Sequence, residues 1–159
     1  MKKSLILAAI LAVISVGSAL AQPRAIGANI GYGIDLSYQH SLGEANMIDV
    51  SVNVPFLEGI GATATYDWVN PFGAVIPWDY EGQWNWNLGV GAGLGIYGFK
   101  VPAFYAGVVG HVGISYDFWF PMQLSLDYRP NIGIVGGEGL TFNTSGLYSG
   151  ITLGVRYLF

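Results

Sequence analysis

A period of two in hydropathy runs through the chain and constrains its fold more than any other feature. Between Trp84 and Tyr97, apolar side chains occupy the even positions, while Asn and then Gly occupy the odd positions up to Gly95. Successive side chains of a β-strand point to opposite faces, so this alternation predicts a strand with one apolar face. A helix is excluded because glycine at every second position destabilises it.

The same alternation recurs often enough to predict an all-β chain. Seven runs are clear, because the stretch from Ile26 to His40 keeps one parity throughout. A barrel whose two ends both lie in the periplasm needs an even number of strands, and Gly31-Tyr32-Gly33 offers a break within that stretch. A three-residue turn there pairs Ile30 with Ile34 on one face and preserves the parity. The predicted strands are 25–31, 34–40, 46–54, 59–69, 83–96, 104–118, 122–130 and 147–159. A competing solution places the eighth strand within 70–80 or 131–137. The stretches 70–83 and 132–146 are otherwise predicted to be longer loops, because they contain several Pro or Gly residues.

The polar face of these strands indicates which side is the core. The chain is 52% apolar and only 10% charged, whereas about a quarter of the residues of a soluble domain are charged. The outer face of a soluble sandwich normally carries Lys and Glu, but here the polar face carries Gly, Asn, Ser and Thr. Small polar residues suit the interior of a narrow barrel, and aromatic-rich apolar positions suit a lipid-facing exterior. We therefore predict an antiparallel transmembrane β-barrel of eight strands with up-and-down topology.

The first 21 residues have the pattern of a cleaved signal peptide. Lys2 and Lys3 precede an apolar run over 5–16, and an Ala-x-Ala ending predicts cleavage before Gln22. The run is too short to span a bilayer as a helix. The barrel then occupies 22–159, with four basic residues against ten acidic ones, a net charge of −6. That balance argues against nucleic acid as a partner, and the absence of Cys excludes thiolate metal sites. We predict no cofactor.

The carboxyl-terminal segment resembles a known signal. Thr152, Gly154, Tyr157 and Phe159 match the terminal-strand pattern of Gram-negative outer-membrane barrels, in which a polar residue and a Gly precede alternating aromatic residues and a final Phe. The segments 34–40 and 121–130 are similar to small outer-membrane barrels of Bacteroidetes-type bacteria. The resemblance implies the barrel-assembly machinery as a transient partner, which would recognise the strand by edge addition. It implies no particular activity.

Charged and polar residues on the predicted inward face are the candidate site. They are Asp35, Asp49, Asp67, His111, Ser115, Asp117, Asp127, Arg129 and Arg156. Buried charges are costly unless they are paired, so we expect the two arginines to bridge the acids across a packed lumen. The alternative is a narrow pore or ligand cavity beneath the glycine wall of Gly89, Gly91, Gly93 and Gly95.

The sequence gives little support for catalysis or metal binding. His111 and Ser115 share a face but lie roughly 13 Å apart along a strand, and Gly113 stands where outer-membrane lipid deacylases place a second catalytic residue. We expect no enzyme, although a lipid-modifying activity is the second alternative. His40 and His111, the two histidines, fall on opposite faces by parity, which disfavours a metal site.

Five aromatic residues surround one long loop: Trp68, Trp78, Tyr80, Trp84 and Trp86. We interpret them as an interfacial girdle, since Trp and Tyr favour the headgroup level of a membrane. A sugar- or peptide-binding platform is the alternative. Together these observations predict a small integral protein of the cell outer membrane, in contact with outer-membrane lipid, with a structural or interaction role.

Overall fold

The computed structural model describes residues 23–43, 45–56, 59–73, 81–98, 103–136, 139–141 and 150–159. The predicted signal peptide lies outside these ranges. The strands within them are β1 (Pro23–Ile30), β2 (Ile34–Ser41), β3 (Asn46–Val54), β4 (Gly59–Pro71), β5 (Gly82–Tyr97), β6 (Ala103–Phe118), β7 (Met122–Tyr128), β8 (Asn131–Val135), β9 (Gly139–Thr141) and β10 (Ile151–Leu158). No helix in this part of the chain is long and apolar enough to cross a membrane.

The strands form one closed antiparallel barrel. Chain neighbours pair from β1 to β6, then β6 pairs with β7, β7 with β10, and β10 with β1. β8 continues β7 because both pair with β6 in a single register, so the wall has eight strands and β9 is added beside β8. The predicted all-β, eight-stranded, up-and-down barrel is confirmed.

The register closes the barrel with a strong tilt of its strands. Following the pairing once around the wall returns to β10 about ten residues from the starting position. An eight-stranded barrel has an interior just wide enough for side chains to fill it. We call the end that holds Pro23 and Phe159 the terminal end, and the end that holds the turn after β1 the far end.

The turn between β1 and β2 is the one that the sequence predicts. Ile30 pairs with Ile34, and the amide of Gly31 donates a hydrogen bond of 3.1 Å to the carbonyl oxygen of Gly33. Splitting the run from 26 to 40 at this point is therefore correct, and it preserves the parity of both strands.

Two predictions about the longer loops are wrong. The segment 132–146 contains the end of β8 and all of β9, and 131–135 extends the seventh strand instead of forming an eighth. Pro130 has no amide hydrogen and interrupts the ladder, yet its carbonyl still accepts a 2.7 Å hydrogen bond from the amide of Gly110. Asn70 and Pro71 belong to the end of β4 rather than to a further strand. Residues 74–80 and 147–149 lie outside the described ranges.

The two faces of the barrel have opposite chemistry. Apolar side chains point outward, and many of the large ones are 37% to 74% exposed. Among the described residues, twenty polar or charged side chains are buried against five apolar ones. This is the reverse of a soluble domain, in which buried residues are mainly apolar. The core of the fold is therefore a polar interior.

Candidate functional site: the polar interior of the barrel

The predicted inward residues occupy the lumen, with one exception. Eight of them are buried: Asp35, Asp49, Asp67, His111, Ser115, Asp127, Arg129 and Arg156. Asp117 lies at the terminal end, where its side chain is 21% exposed and pairs with Arg24 at 3.7 Å. It also accepts hydrogen bonds from Asn85 at 2.9 Å and Gln123 at 2.6 Å. Asp117 therefore belongs to the rim of the barrel.

Arg156 connects β10 to three other strands. Its guanidinium lies 3.0 Å from an Asp127 carboxylate oxygen on β7. It donates hydrogen bonds at 2.5–3.2 Å to Ser37, Gln123, Ser125, Asn29 and Asp127. Hydrogen bonds to charged groups are stronger than those between neutral groups, so this one side chain ties together β1, β2, β7 and β10.

His111 lies between two carboxylates. Its Nδ1 is 2.6 Å from Asp67 Oδ1 on β4, and its Nε2 is 3.1 Å from Asp127 Oδ1 on β7. The contact of each ring nitrogen with a carboxylate oxygen fits the doubly protonated ring, which carries a positive charge between the two acids. Thr65 also donates to Asp67 at 2.6 Å, and Asn87 donates to it at 3.2 Å. The ring thereby joins β6 to β4 and β7.

Arg129 reaches across the lumen to β2 and β3. Its Nη2 lies 3.3 Å from Asp49 Oδ1, and its Nη1 lies 3.7 Å from Asp35 Oδ2. Asp49 also accepts hydrogen bonds from Gln39 at 3.0 Å and Ser51 at 2.9 Å. Three cations thus face four buried carboxylates. A low-dielectric interior requires positive and negative charges that nearly balance. The pairing also agrees with the prediction that the two arginines bridge the acids.

Glycines make room for the large interior side chains. A Cβ atom on Gly27 would lie 2.7 Å from Cγ of Arg156, and one on Gly133 would lie 2.5 Å from the ring of Tyr105. Tyr105 is buried towards the far end, and its hydroxyl donates to Asn131 at 3.0 Å. Each bulky group therefore lies over a position on a neighbouring strand that has no side chain.

Two glycines of the β5 wall follow the same rule, which counts against the alternative of a cavity beneath them. Asp67 lies over Gly89, and side-chain methyl carbons of Thr63 and Val109 lie over Gly93. Nearer the terminal end is a cavity of only about 10 Å³ whose lining includes Gln39, Gln123 and Arg156. Such a volume holds about one water molecule, so side chains fill the interior around these residues.

The described candidates for catalysis and metal binding lie in separate surroundings. Both ring nitrogens of His111 face carboxylates, and Ser115 lies four residues further along β6 on the same face. His40 points outward, where its Nδ1 lies 3.0 Å from the hydroxyl of Tyr38. Within the described ranges, no three His, Cys, Asp or Glu residues form a group that could hold a metal ion.

The described girdle residues lie on the outside, close to the terminal end. Trp68 and Trp86 are 45% and 40% exposed, and Trp84 contacts Tyr116 with the ring centres 5.0 Å apart. Trp78 and Tyr80 lie outside the described residues.

The residues of the terminal-strand pattern lie on both faces of β10. Gly154 is buried in the lumen, Thr152 is partly buried, and Tyr157 and Phe159 are exposed outside. The rings of Tyr157 and Phe159 are 5.4 Å apart. The pattern thus combines inward small residues with outward aromatic ones.

Neutral partners of the network were not among the predicted site residues. They include Asn29, Ser37, Gln39, Ser51, Asn53, Thr65, Asn87, Gln123 and Ser125. Parity places each of them on the inward face, so the alternation of the strands is a signal that identifies them. They are absent from the predicted site because that site consists mainly of charged residues.

No family model matches the chain, and no curated protein or solved structure matches it either. The narrower resemblance to Bacteroidetes-type proteins therefore stays a prediction. The fold itself is consistent with an outer-membrane barrel.

Proposed function

We propose that this chain is an integral β-barrel of the bacterial outer membrane, with a structural or interaction role that does not use transport through its lumen. The observation that carries the proposal is the inverted distribution of side chains, with twenty buried polar groups inside and large exposed apolar groups outside. Lipid is the solvent that suits such an exterior, because each large apolar side chain left in water costs about 1.5–3 kcal/mol relative to burial.

The closure of the sheet supports the same proposal. Backbone amides and carbonyls that face hydrocarbon must be satisfied internally, and only helices and closed barrels achieve this. Here the pairing of β10 with β1 leaves no open edge between the first and last strands. The aromatic residues at the terminal end then mark one membrane interface.

The filled interior favours a structural or interaction role over the narrow-pore alternative. Arg129 reaches across the lumen to Asp49, Arg156 pairs with Asp127 on the adjacent strand, and Tyr105 is buried towards the far end. A solute would have to displace these side chains and leave buried charges without partners, at several kcal/mol for each charge. Such an interior fixes the shape of the barrel and leaves its outer surface and loops for contacts.

The predicted signal peptide and terminal-strand pattern supply the route to this location. Export would be followed by recognition of the segment from Thr152 to Phe159 by the barrel-assembly machinery. β10 pairs along one edge with β7 and along the other with β1, which is consistent with its addition to an open sheet edge.

The test is expression of the full chain in a Gram-negative host, followed by fractionation and electrophoresis with and without boiling. We expect the protein in the outer-membrane fraction, with faster migration of the unboiled folded form. Recovery from the soluble periplasm with equal mobility in both lanes would contradict the proposal.

Planar-bilayer recording separates the two roles. We expect no conductance steps from the purified barrel, with a porin added afterwards as the positive control. Reproducible steps that the chain alone produces would favour the pore alternative instead.

A further inference from the structure

An apolar groove lies on the outer face of the barrel. Its volume is about 630 Å³, and it extends across four adjacent strands, β5, β6, β7 and β10. The residues that line it are Trp84, Ile114, Tyr116, Phe118, Leu124, Ser125, Leu126 and Leu153. We call this feature the β7 groove. Apart from Ser125, which bonds to Arg156 and Asp127 inside the barrel, these side chains point outward and take no part in the interior network.

One end of the β7 groove continues into a run of aromatic rings. Tyr116 contacts Phe118 with ring centres 4.8 Å apart, and Phe118 stacks on Phe120 at 5.0 Å. Phe120 contacts Trp119, which is 74% exposed in the turn between β6 and β7. Exposed Trp favours the headgroup level of a membrane. The groove therefore leads from a membrane interface towards the middle of the barrel wall.

The size and chemistry of the groove indicate its occupant. Eight residues line it, whereas a stable protein interface uses about 20–30 residues on each side. Its volume lies within the range of about 300–1,000 Å³ that is typical of small-molecule sites. No charged side chain lines it, so it offers nothing to pair with an ionic ligand.

We infer that the β7 groove binds one acyl chain of a membrane lipid, with the headgroup beside Trp119. This inference rests on the proposed membrane location and adds a defined lipid site to it. The rings of Trp84, Tyr116 and Phe118 pack along one side of the acyl chain. Leu126 and Leu153 contact the acyl chain further from the membrane interface.

The test uses tryptophan fluorescence quenching by phosphatidylcholine with brominated acyl chains, added to the full chain folded in detergent micelles. One variant keeps Trp84, replaces Trp68, Trp78 and Trp86 by Phe, and replaces Trp119 by Tyr, which also favours the headgroup level. A matched control keeps only Trp68, which lies in the girdle but not in the groove. We expect quenching of Trp84 to saturate at about one lipid per protein, and quenching of Trp68 to follow the bulk lipid fraction.

Filling the groove sharpens this test. Leu126→Phe is expected to abolish the saturable quenching of Trp84. Leu88→Phe, on the outer face of β5 outside the groove, is expected to leave it unchanged. Parallel, non-saturating quenching of Trp84 and Trp68 would overturn the lipid site and leave the membrane proposal intact. Absence of quenching at both positions would overturn both. A concentration-dependent dimer that shields Trp84 would assign the groove to a second copy instead.

Discussion

The inner and outer faces of the same strands differ in how narrowly each position restricts the side chain that can occupy it. On β6, His111 and Val112 are neighbours in sequence. Both ring nitrogens of His111 lie within 3.1 Å of carboxylates on two other strands. Val112 points outward and is 46% exposed. The inner position requires one side chain in one geometry, whereas the outer position requires only an apolar group. This difference indicates that the contacts inside the barrel determine which strands pair. The outer face determines only which solvent can surround the barrel.

The largest expected effect comes from removing the most connected interior cation. Arg156→Leu leaves Asp127 short of one cation and removes five hydrogen bonds. Breaking a buried ion pair typically costs about 3–5 kcal/mol. The loss in free energy of unfolding is measured by unfolding the barrel in denaturant, with the gel shift reporting the folded fraction. Val155→Leu, at the outward neighbour on β10, is the matched control. An equal loss of stability in both variants would contradict the difference between the inner and outer faces.

An arginine on the outer face tests whether that face contacts lipid. Val90 lies midway along β5 and is 50% exposed. In a bilayer, Val90→Arg is expected to cost about 2–4 kcal/mol, because the charge lies near the midplane. Unfolding in lipid vesicles gives the value. A change within about 0.5 kcal/mol, which is usual for a surface position in water, would count against the membrane location.

A smaller effect is expected where a glycine accommodates an interior ring. The Cβ of Gly133→Ala would lie 2.5 Å from Tyr105, and overpacking of this kind costs about 1–3 kcal/mol. Gly136→Ala is the control, because its nearest neighbour would lie at an ordinary 3.6 Å. In a double-mutant cycle, Tyr105→Leu should remove most of the penalty at Gly133. Purely additive losses would show that the ring is not the cause.

The smallest effect is expected at an outward apolar position. Val112→Leu keeps the apolar character of the lipid-facing side and is expected to change the free energy of unfolding by less than about 0.5 kcal/mol. The same unfolding measurement applies. A loss above 2 kcal/mol would show that the outer face is as precisely packed as the inner one.

Parity was sufficient to predict the barrel because one rule governs every strand. Alternation assigned Asp49 and Val50 to opposite faces, and Gly31-Tyr32-Gly33 allowed the split that gives eight strands. The extension of the seventh strand past Pro130 was missed because proline usually ends a strand. Its carbonyl nevertheless keeps the register with β6.

The partners across the lumen were harder to predict than the faces. Arg129 reaches Asp49, which is 80 residues away in the chain. That contact depends on the tilt of the strands and on the length of the side chain, and neither is contained in a local pattern. The sequence likewise predicts a packed lumen without showing which side chain fills the space over Gly89, which Asp67 of the neighbouring strand occupies.

The position of Arg156 on the closing strand has a consequence for how the barrel forms. β10 pairs with β1 and β7, and Arg156 bonds to Asn29 and Ser37 only when that seam is complete. A sheet that has not yet sealed would keep the Arg156–Asp127 pair, because β10 and β7 are neighbours, but Arg156 would lack its hydrogen bonds to Asn29 and Ser37. Sealing of the wall and completion of the hydrogen bonding around Arg156 are therefore one event, which disfavours half-assembled forms.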